Sequence, residues 1–585
     1  MHGYTGKSLF IDLSTEKYGI VKTPPSLIEE FIGGRGLGVA LVAPHISYTW
    51  DSPEMPLVFS SGPLVGTASP TSGRISVVSR SPLTGTVLDC SVGGRFGTEM
   101  KRAGYDLIFI QGRARGWRFI EIRDKDIKIL DAEPLRGMNV SELTATLGGG
   151  ASTALIGRAG ERLVRYAGIV FDGHYLAGRG GLGAVMGSKN LKGISIKGSS
   201  EVRVHDREEL RKAYDEIMRL LRASPSLFGE FGLSEFGTAA LVDLIHARRM
   251  EPTENFRRSY FPDSRRYSGY SLKRLFRPRK SGCRGCPILC KKVSQDGLVL
   301  PEFETVSHFG ALLKNSDPES ILQANRLCND YGLDTISTAS TIACHSEITG
   351  KWPAPDEILE YITRIGDRDG IGDALAEGSL RYATSKGSPH LSMSVKGLEL
   401  PAYDPRGAYG MALAYATSNR GGCHLRAYPI SYEILRKPVS VDRFSFEGKA
   451  RMVKISEDMN AVVDSLTACK FVFFATSLEE YARCLSAVTG REFDVQGLLR
   501  TGERIWLLER SLNNLNGFNV KDDDLPERFF KEPGFEEGGI KIPPIKREDF
   551  LTALKRYYKI RGYSGEGKVD ALRFPQGLST LRTDH

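Results

Sequence analysis

The segment Ser281-Gly282-Cys283-Arg284-Gly285-Cys286-Pro287-Ile288-Leu289-Cys290-Lys291-Lys292 decides how this chain is read. Its C-x2-C-x3-C spacing gathers three thiolates on one side of a tight loop, as a cubane iron–sulfur cluster requires. A 4Fe–4S cluster takes a fourth ligand from elsewhere. Cys469, in DSLTACKF at 464–471, is the candidate, and Cys90, Cys328, Cys344, Cys423 and Cys484 compete for the role. A structural zinc site is usually built from two matched C-x2-C knuckles, and this chain has one. Radical S-adenosylmethionine enzymes use the reverse order of spacings.

Outward from the motif, bulk properties narrow the choices. A chain of 585 residues is too long for one core, and about two to four domains are expected. With 41% hydrophobic and 25% charged residues, the composition is that of a folded globular protein. The 79 basic and 70 acidic residues leave a net charge of +9, which is mild for this length. It favours acidic partners, and no nucleic-acid-binding motif accompanies it, so nucleic acid is not an expected partner. The start, Met1-His2-Gly3-Tyr4, lacks the basic and apolar parts of a signal peptide. No run approaches the roughly 18 apolar residues needed to span a membrane. The expected location is the cytoplasm, with no membrane partner. Nine cysteines there serve as ligands or buried thiols rather than disulfides.

Upstream of the motif, residues 1–205 read as β-rich and full of turns. Tyr105–Gln111 and Trp117–Arg123 are short branched or aromatic segments, and glycines cluster at 33–38, 93–97, 148–150 and 178–183. No internal repeat is visible. Gly178-Arg179-Gly180-Gly181-Leu182-Gly183 formally fits G-x-G-x-x-G, but a dinucleotide fingerprint follows a strand directly and opens the helix of a βαβ unit. The strand expected at Ile169–Phe171 ends too early, and Asn190–Gly198, ahead of Glu201, gives no clear βαβ pattern. Glycine turns with Arg74, Arg95 and Arg179 in or beside them suit another phosphorylated ligand, through exposed N–H groups and charge-assisted hydrogen bonds. Any one of them alone is a hairpin turn with a solvated arginine.

Helices are expected from Val204 onward. Asp206 can cap a helix with Leu210, Tyr214, Ile217 and Leu221 on one face. Ile321–Cys328 and Thr335–Ile348 read as helices broken at Gly332. Tyr260–Lys280 is basic and irregular, an exposed loop leading into the cysteine motif.

With these motifs in view, the chain resembles the aldehyde:ferredoxin oxidoreductase family of tungsten enzymes nearly end to end. The resemblance is carried by GGRGLGVA at 33–40, SGRISVVSRSPLTG at 72–85, GGRFGTEMKRAGYD at 93–106 and GRGGLGAVMGSKNLKGI at 178–194. It continues through the cysteine motif, PEFET at 301–305, NDYGLDTIS at 329–337, LPAYDPRG at 400–407, SNRGGCHLRAYP at 418–429 and DSLTACKF.

The resemblance implies an α+β fold: a β-rich base over 1–205 that binds two pterins, then two mainly helical domains. The first, over 206–415, bears the cysteine motif; the second, over 416–585, bears the fourth cysteine. It implies a tungstopterin, in which two pterins hold one tungsten or molybdenum through their dithiolene sulfurs. One 4Fe–4S cluster and a magnesium between the pterin phosphates complete the set. Cys283, Cys286, Cys290 and Cys469 match the cluster ligands, and Arg74 matches the arginine bridging cluster and pterin. Ser91, Gly93 and Gly94, with Arg95 beside them, and Arg179, Gly180 and Gly181 match the turns that hold phosphates and magnesium.

Two D-x-x-G-L-[DC] motifs grip the pterins in this family. The first is Asn329-Asp330-Tyr331-Gly332-Leu333-Asp334, with Asn329 in place of the common acid. The second is Asp464-Ser465-Leu466-Thr467-Ala468-Cys469, with Thr467 and Ala468 replacing Gly and Leu. Asp334 and Asp464 keep carboxylates that accept from pterin N–H groups, and Asp334 reads equally as a helix N-cap. Glu304, with Glu302 as a rival, and His424 match residues near the metal, where a Glu takes a proton and a His donates one. His424 on its own reads as a core histidine. The E-x-x-H pair that holds an interface metal in some relatives does not occur, so that site is not expected.

The implied reaction oxidises a small aldehyde to a carboxylic acid with oxygen from water, sending electrons through the cluster to ferredoxin or a similar acidic carrier. Arg257, Arg258, Arg265, Arg266, Lys273, Arg274, Arg277, Arg279 and Lys280 form a candidate docking face, with a solvated loop as the alternative. A homodimer or a complex with an electron-transfer subunit is compatible with the resemblance. The competing functions are an electron-transfer or reductase subunit of a larger complex acting on a non-aldehyde substrate, and an NAD-dependent dehydrogenase.

Overall fold

Short runs of branched and aromatic residues, cut by glycine turns, fold the N-terminal third into strands. The computed structural model, which describes residues 2–569, places twelve of them in two six-stranded sheets. The first holds β1 (Lys7–Asp12), β2 (Lys17–Lys22), β3 (Leu57–Ser60), β4 (Ile75–Arg80), β5 (Val87–Val92) and β6 (Leu107–Gln111), in the order β2-β1-β6-β3-β4-β5. The second holds β7 (Arg118–Arg123), β8 (Asp126–Asp131), β9 (Ser152–Leu155), β10 (Ile169–Phe171), β11 (Tyr175–Ala177) and β12 (Leu191–Lys197), in the order β11-β10-β9-β12-β7-β8.

These are one sheet built twice. β1 corresponds to β7, β2 to β8, and so on to β6 and β12. In each sheet one pair is parallel, β1 with β6 and β7 with β12, and every other pair is antiparallel. A short helix, Phe96–Arg102 or Leu182–Ser188, precedes the last strand of each. The expectation of no internal repeat is therefore corrected. The repeat survives in hydrogen-bond topology, while the two helix entries, GRFGTEM at 94–100 and GGLGAVM at 180–186, share little beyond glycines and a methionine.

The same topology corrects the reading around Gly178. β11 does run directly into the glycine turn, and a helix and then a strand do follow. β11 and β12 nevertheless lie antiparallel, three antiparallel steps apart in the sheet. The parallel βαβ unit of a dinucleotide site is not formed there.

Helices cover this base from Arg207 onward. Helix Arg207–Ala223 starts at Asp206, whose carboxylate accepts from the Glu208 and Glu209 N–H groups at 2.9 and 3.0 Å. Leu210, Ala213, Ile217 and Leu221 are buried against helix Leu478–Thr489, so early and late parts of the chain share one core. Tyr214 stays at the rim. Tyr260–Lys280 is not the irregular loop that its charge implies. A 3₁₀ turn, Pro262–Tyr267, and a helix, Gly269–Phe276, occupy it and bury Tyr267 and Leu272. Among the described residues no helix is long and apolar enough to cross a membrane.

Two helix ends fasten this cap to the base at matching points. Pro318–Tyr331 ends at Gly332 (φ 75°) and Lys449–Leu466 ends at Thr467 (φ 53°), both left-handed. The Gly168 N–H, just before β10, donates to the Gly332 carbonyl at 2.7 Å, and the Arg74 N–H, just before β4, donates to the Thr467 carbonyl at 3.3 Å. Threonine in this conformation costs about 1–2 kcal/mol. The Gly62 N–H donates to its Oγ1 at 3.0 Å and offsets part of that cost.

Glycine is required where the helix ends touch the base. A Cβ on Gly157, after β9, would lie 2.5 Å from the Tyr331 carbonyl oxygen, and one on Gly62, after β3, would overlap the Leu466 carbonyl. Gly157→Ala and Gly62→Ala should each cost about 1–3 kcal/mol in denaturant unfolding. Gly149→Ala, which meets open space, should stay within about 0.5 kcal/mol of the parent. Equal stability of all three variants would contradict this account of the docking.

Candidate active site

Between the glycine turns and the helical cap lies a cavity of about 870 Å³. Its wall contains Arg74, Ser91, Gly93, Arg179, Glu304, Asp334, His424 and Asp464, together with Cys283, Cys286, Cys290 and Cys469. These positions span most of the chain in sequence, and folding brings them to one space. Other predicted residues stand behind the lining. Gly332 and Thr467 form the helix ends, and Leu333 and Ala468 are buried beside them. Asn329 is half-buried on its helix. Gly180 and Gly181 shape the turn, where Ser81 Oγ donates to the Gly180 carbonyl at 2.7 Å. Gly94 and Arg95 pack on Asp172, which accepts from the Arg95 N–H at 2.7 Å, and the Arg95 side chain is exposed.

The thiols occupy one side. β13 (Arg279–Ser281) and β14 (Lys291–Val293) form an antiparallel hairpin whose connecting loop carries Cys283, Cys286 and Cys290. Cys469 arrives from the end of the Thr467 helix, its N–H donating to the Thr71 carbonyl at 2.9 Å. Gly93 makes room for the loop, because a Cβ there would overlap Cys283 Sγ. All four thiols are free of disulfides. Burial, followed by the neighbouring Cys469 and Cys283, pushes the Cys286 thiol up to about 12, and burial also raises Cys290 and Cys469. Such thiols ionise only with a cationic partner. Among the described residues no three His, Cys, Asp or Glu side chains close on a single-ion site. Arg74 lies between the thiols and Asp464, its Nε donating to Ser91 Oγ at 2.9 Å and its Nη2 to the Ser91 carbonyl at 2.7 Å.

A network of buried charges continues the wall from there. Arg35 forks onto Glu509 through Nε and Nη2, both at 2.6 Å, and its Nη1 lies 3.5 Å from Asp464. Arg426 reaches Asp89 at 2.7 Å and Asp464 at 3.4 Å, while Lys470 Nζ donates to Asp464 at 2.9 Å. Arg420 donates to the Asp89 carbonyl at 2.6 Å and to Cys423 Sγ at 2.9 Å. Burial alone would raise the Asp89 carboxyl, but Arg426, Arg35 and Arg420 outweigh it and bring it to about 2. Asp89, Arg35, Arg420, Arg426 and Lys470 were not among the expected residues. Their available signal is a lone charge inside an apolar or glycine-rich run, as in Val87-Leu88-Asp89-Cys90.

Six buried polar atoms on cavity-lining side chains have no hydrogen-bond partner among the described residues: Asp89 Oδ2, Arg179 Nη1, Glu304 Oε1, His424 Nδ1, Arg426 Nε and Asp464 Oδ1. Leaving such atoms bare costs about 1–3 kcal/mol each, so this wall suits a polar ligand bearing both donors and acceptors. Asp334 differs from Asp464. Its carboxylate accepts from the Ile336 and Ser337 N–H groups at 3.2 and 3.3 Å as the cap of helix Thr335–Thr349, and Arg179 lies 3.6 Å away. It is an N-cap and a wall residue at once.

The two glutamates separate by environment. Glu302 is paired with Lys291 at 3.0 Å, and this outweighs burial to hold it below the usual range. Burial pushes Glu304 up to about 8, although the Ala402 N–H donates to its Oε2 at 2.8 Å. His424 Nε2 lies 3.6 Å from Glu304 Oε1, and burial, then the charges of Arg179, Arg420 and Lys470, hold the imidazole neutral.

A duplicated β base under a helical cap, with a charged cavity beside four clustered thiols, defines a class of protein whose central cavity suits a large polar ligand. Comparison with known proteins gives the family. The model for the aldehyde ferredoxin oxidoreductase N-terminal domain matches residues 8–198, and that for domains 2 and 3 matches residues 212–573. The chain is 41% identical to the tungsten-containing aldehyde ferredoxin oxidoreductase of Pyrococcus furiosus, over 97% of this chain and 98% of that one. It is 38% identical, with the same coverage, to the enzyme of that name from Thermococcus kodakarensis. At 30% identity it also matches the WOR-like subunit of an aliphatic sulfonate oxidoreductase from Pyrococcus furiosus, over 97% and 96% of the two chains. The active-site complex BamBC of benzoyl coenzyme A reductase shares the fold, with a TM-score of 0.83 at 22% identity over 97% and 96% of the chains. The chain belongs to the aldehyde ferredoxin oxidoreductase family.

Glu304 gives a test of the cavity's electrostatics in protein prepared without ligand. Its folded pKa of about 8 exceeds the ordinary 4.5, so the folded chain binds the extra proton and stability falls as pH rises between these values. Glu304→Gln removes that dependence. The stability of the parent relative to the variant should therefore decline from about pH 4.5 to pH 8, and a difference that does not change with pH would contradict the assignment.

Proposed function

We propose that the chain is a cytoplasmic oxidoreductase that oxidises aldehydes to carboxylic acids with a bis-pterin tungsten or molybdenum centre, and delivers the electrons through a 4Fe–4S cluster to ferredoxin. The observation that carries this reading is the placement of four thiols and six orphaned polar atoms around one cavity in a chain of this family. Cys283, Cys286, Cys290 and Cys469 would hold the cluster, whose irons supply the positive charge that the raised thiols of Cys286, Cys290 and Cys469 need to ionise. Asp464 Oδ1 and Asp334 would accept from the two pterins, one beside each sheet repeat. Arg74, between thiols and cavity, would bond to both groups. Ser91, Gly93, Gly94 and Arg95, with Arg179, Gly180 and Gly181, would cradle the phosphates and magnesium in their turns. The three domains of this reading are 1–205, 206–415 and 416–585.

When bound, the metal centre supplies a two-electron acceptor and a means of activating water. The remaining work falls to side chains. Leu425, Tyr428, Met459, Phe471 and Phe474 line an apolar flank of the cavity that takes the hydrocarbon part of an aldehyde and excludes bulk water. A carboxyl near pH 8 is close enough to neutrality both to hold a proton and to release it. Glu304 is our candidate for the proton-transfer role. Its Oε1 holds a proton at neutral pH and exchanges it, with His424 Nε2 the neighbouring station at 3.6 Å.

A second reading, as the catalytic subunit of a larger complex acting on another substrate, draws support from the sulfonate oxidoreductase subunit among the relatives. Aldehyde-dependent reduction of benzyl viologen by anaerobically purified protein tests the first reading. The parent should reduce the dye, and Glu304→Gln should lose at least about 100-fold in kcat with iron content unchanged. A metal-loaded protein that reduces no dye with any of a panel of aliphatic and aromatic aldehydes would rule it out.

A further inference from the structure

The cysteine hairpin has an outer side that the reaction itself does not use. Arg284 and Gly285 at its tip are exposed, with Cys283 and Cys286 half-buried beside them. Residues 265–284 carry eight basic and no acidic side chains. Lys273 and Lys280 both pair with Glu235, and Arg284 pairs with Glu99 at 2.6 Å. Arg274, Arg277 and Arg279 are exposed and form no ion pair among the described residues.

Helical spacing puts Tyr270, Lys273, Arg274 and Arg277 on one outward face, while Leu272 anchors the inner one. Folding also leaves large apolar groups uncovered here. Tyr270 is 63% and Leu275 51% exposed, and Phe231, 74% exposed, precedes the helix Leu233–Phe236 that packs against Gly269–Phe276. A small cleft lined by Glu235, Lys273 and Cys290 connects this face with the cysteine loop. Exposed apolar groups beside a cluster of basic side chains in excess of acidic ones mark an interaction surface rather than a solvated loop.

We propose that this face docks an acidic one-electron carrier protein, seated over the Arg284–Gly285 tip. The proposal rests on the oxidoreductase reading above and assigns the exit for its electrons. Oxidation of RCHO with H2O to RCOO⁻ releases three protons and two electrons, so each turnover reduces two carriers by one electron each, in two dockings. The unpaired arginines attract the carrier and orient it, and Tyr270 and Leu275 supply a small dry contact that allows release.

The test compares two acceptors on the loaded enzyme: an acidic ferredoxin and benzyl viologen, a small cation that needs no docking face. In the triple variant R274E/R277E/R279E, kcat/KM for ferredoxin at low ionic strength should fall about 10- to 100-fold, and its decline with added salt should flatten. Dye-coupled aldehyde oxidation should be unchanged. Leu275→Ser should raise the ferredoxin KM severalfold and leave the salt dependence as in the parent. Parental ferredoxin kinetics and salt dependence in the triple variant, with dye turnover intact, would overturn the docking face. A parent that fails to couple aldehyde to dye would instead overturn the reaction assigned above.

Discussion

The whole arrangement depends on two left-handed helix ends, Gly332 and Thr467, seated on equivalent turns of a duplicated base. Each is fixed by a backbone hydrogen bond from the residue preceding the fourth strand of its repeat, Gly168 or Arg74. Fastening the cap at these two points keeps a space of about 870 Å³ open inside a closely packed molecule. The same placement sets one carboxylate beside each repeat: Asp334 two residues beyond Gly332, and Asp464 three residues before Thr467. A ligand with two similar halves matches a base with two similar halves. The match is not symmetric, since Asp334 is already committed to a helix cap and Asp464 keeps a free oxygen.

The charges around this space are poorly explained by stability of the chain alone. Buried ion pairs seldom stabilise a fold relative to apolar packing, because desolvation consumes the Coulombic gain. Here Arg35, Arg426, Asp89 and Asp464 are all buried, and the last three each leave one polar atom without a partner among the described residues. A wall of this kind acquires a purpose when a polar group enters and completes its hydrogen bonds. Binding to the folded chain alone would then add stability by mass action. On the thiol side the same physics applies with opposite sign: burial disfavours thiolates until cations arrive.

How much of this was legible depended on the range of the interaction. The cysteine motif is local, three positions on one loop, and its spacing could be read directly. The caps at Asp206 and the break at Gly332 are local too, and the structure forms both where expected. The duplication was invisible because equivalent strands share hydrogen-bond geometry while their side chains have diverged. Arg420 and Asp89 lie 331 residues apart, and neither segment alone shows that one bonds to the other. The Tyr260–Lys280 segment misled for a different reason. Its many basic residues conceal the buried Tyr267 and Leu272 that anchor a helix. Thr467 and Ala468 depart from the family's Gly and Leu, yet the helix still ends in the left-handed region because Gly62 supports the threonine hydroxyl.

The central claim is that this enclosed space holds a two-pterin metal centre with an iron–sulfur cluster alongside. It is tested most directly by counting iron, tungsten, molybdenum and pterin per chain in protein purified without exposure to air. The account predicts about four irons, two pterins and one tungsten or molybdenum per folded chain. A folded protein from a host able to make these groups that contained neither pterin nor iron would contradict it.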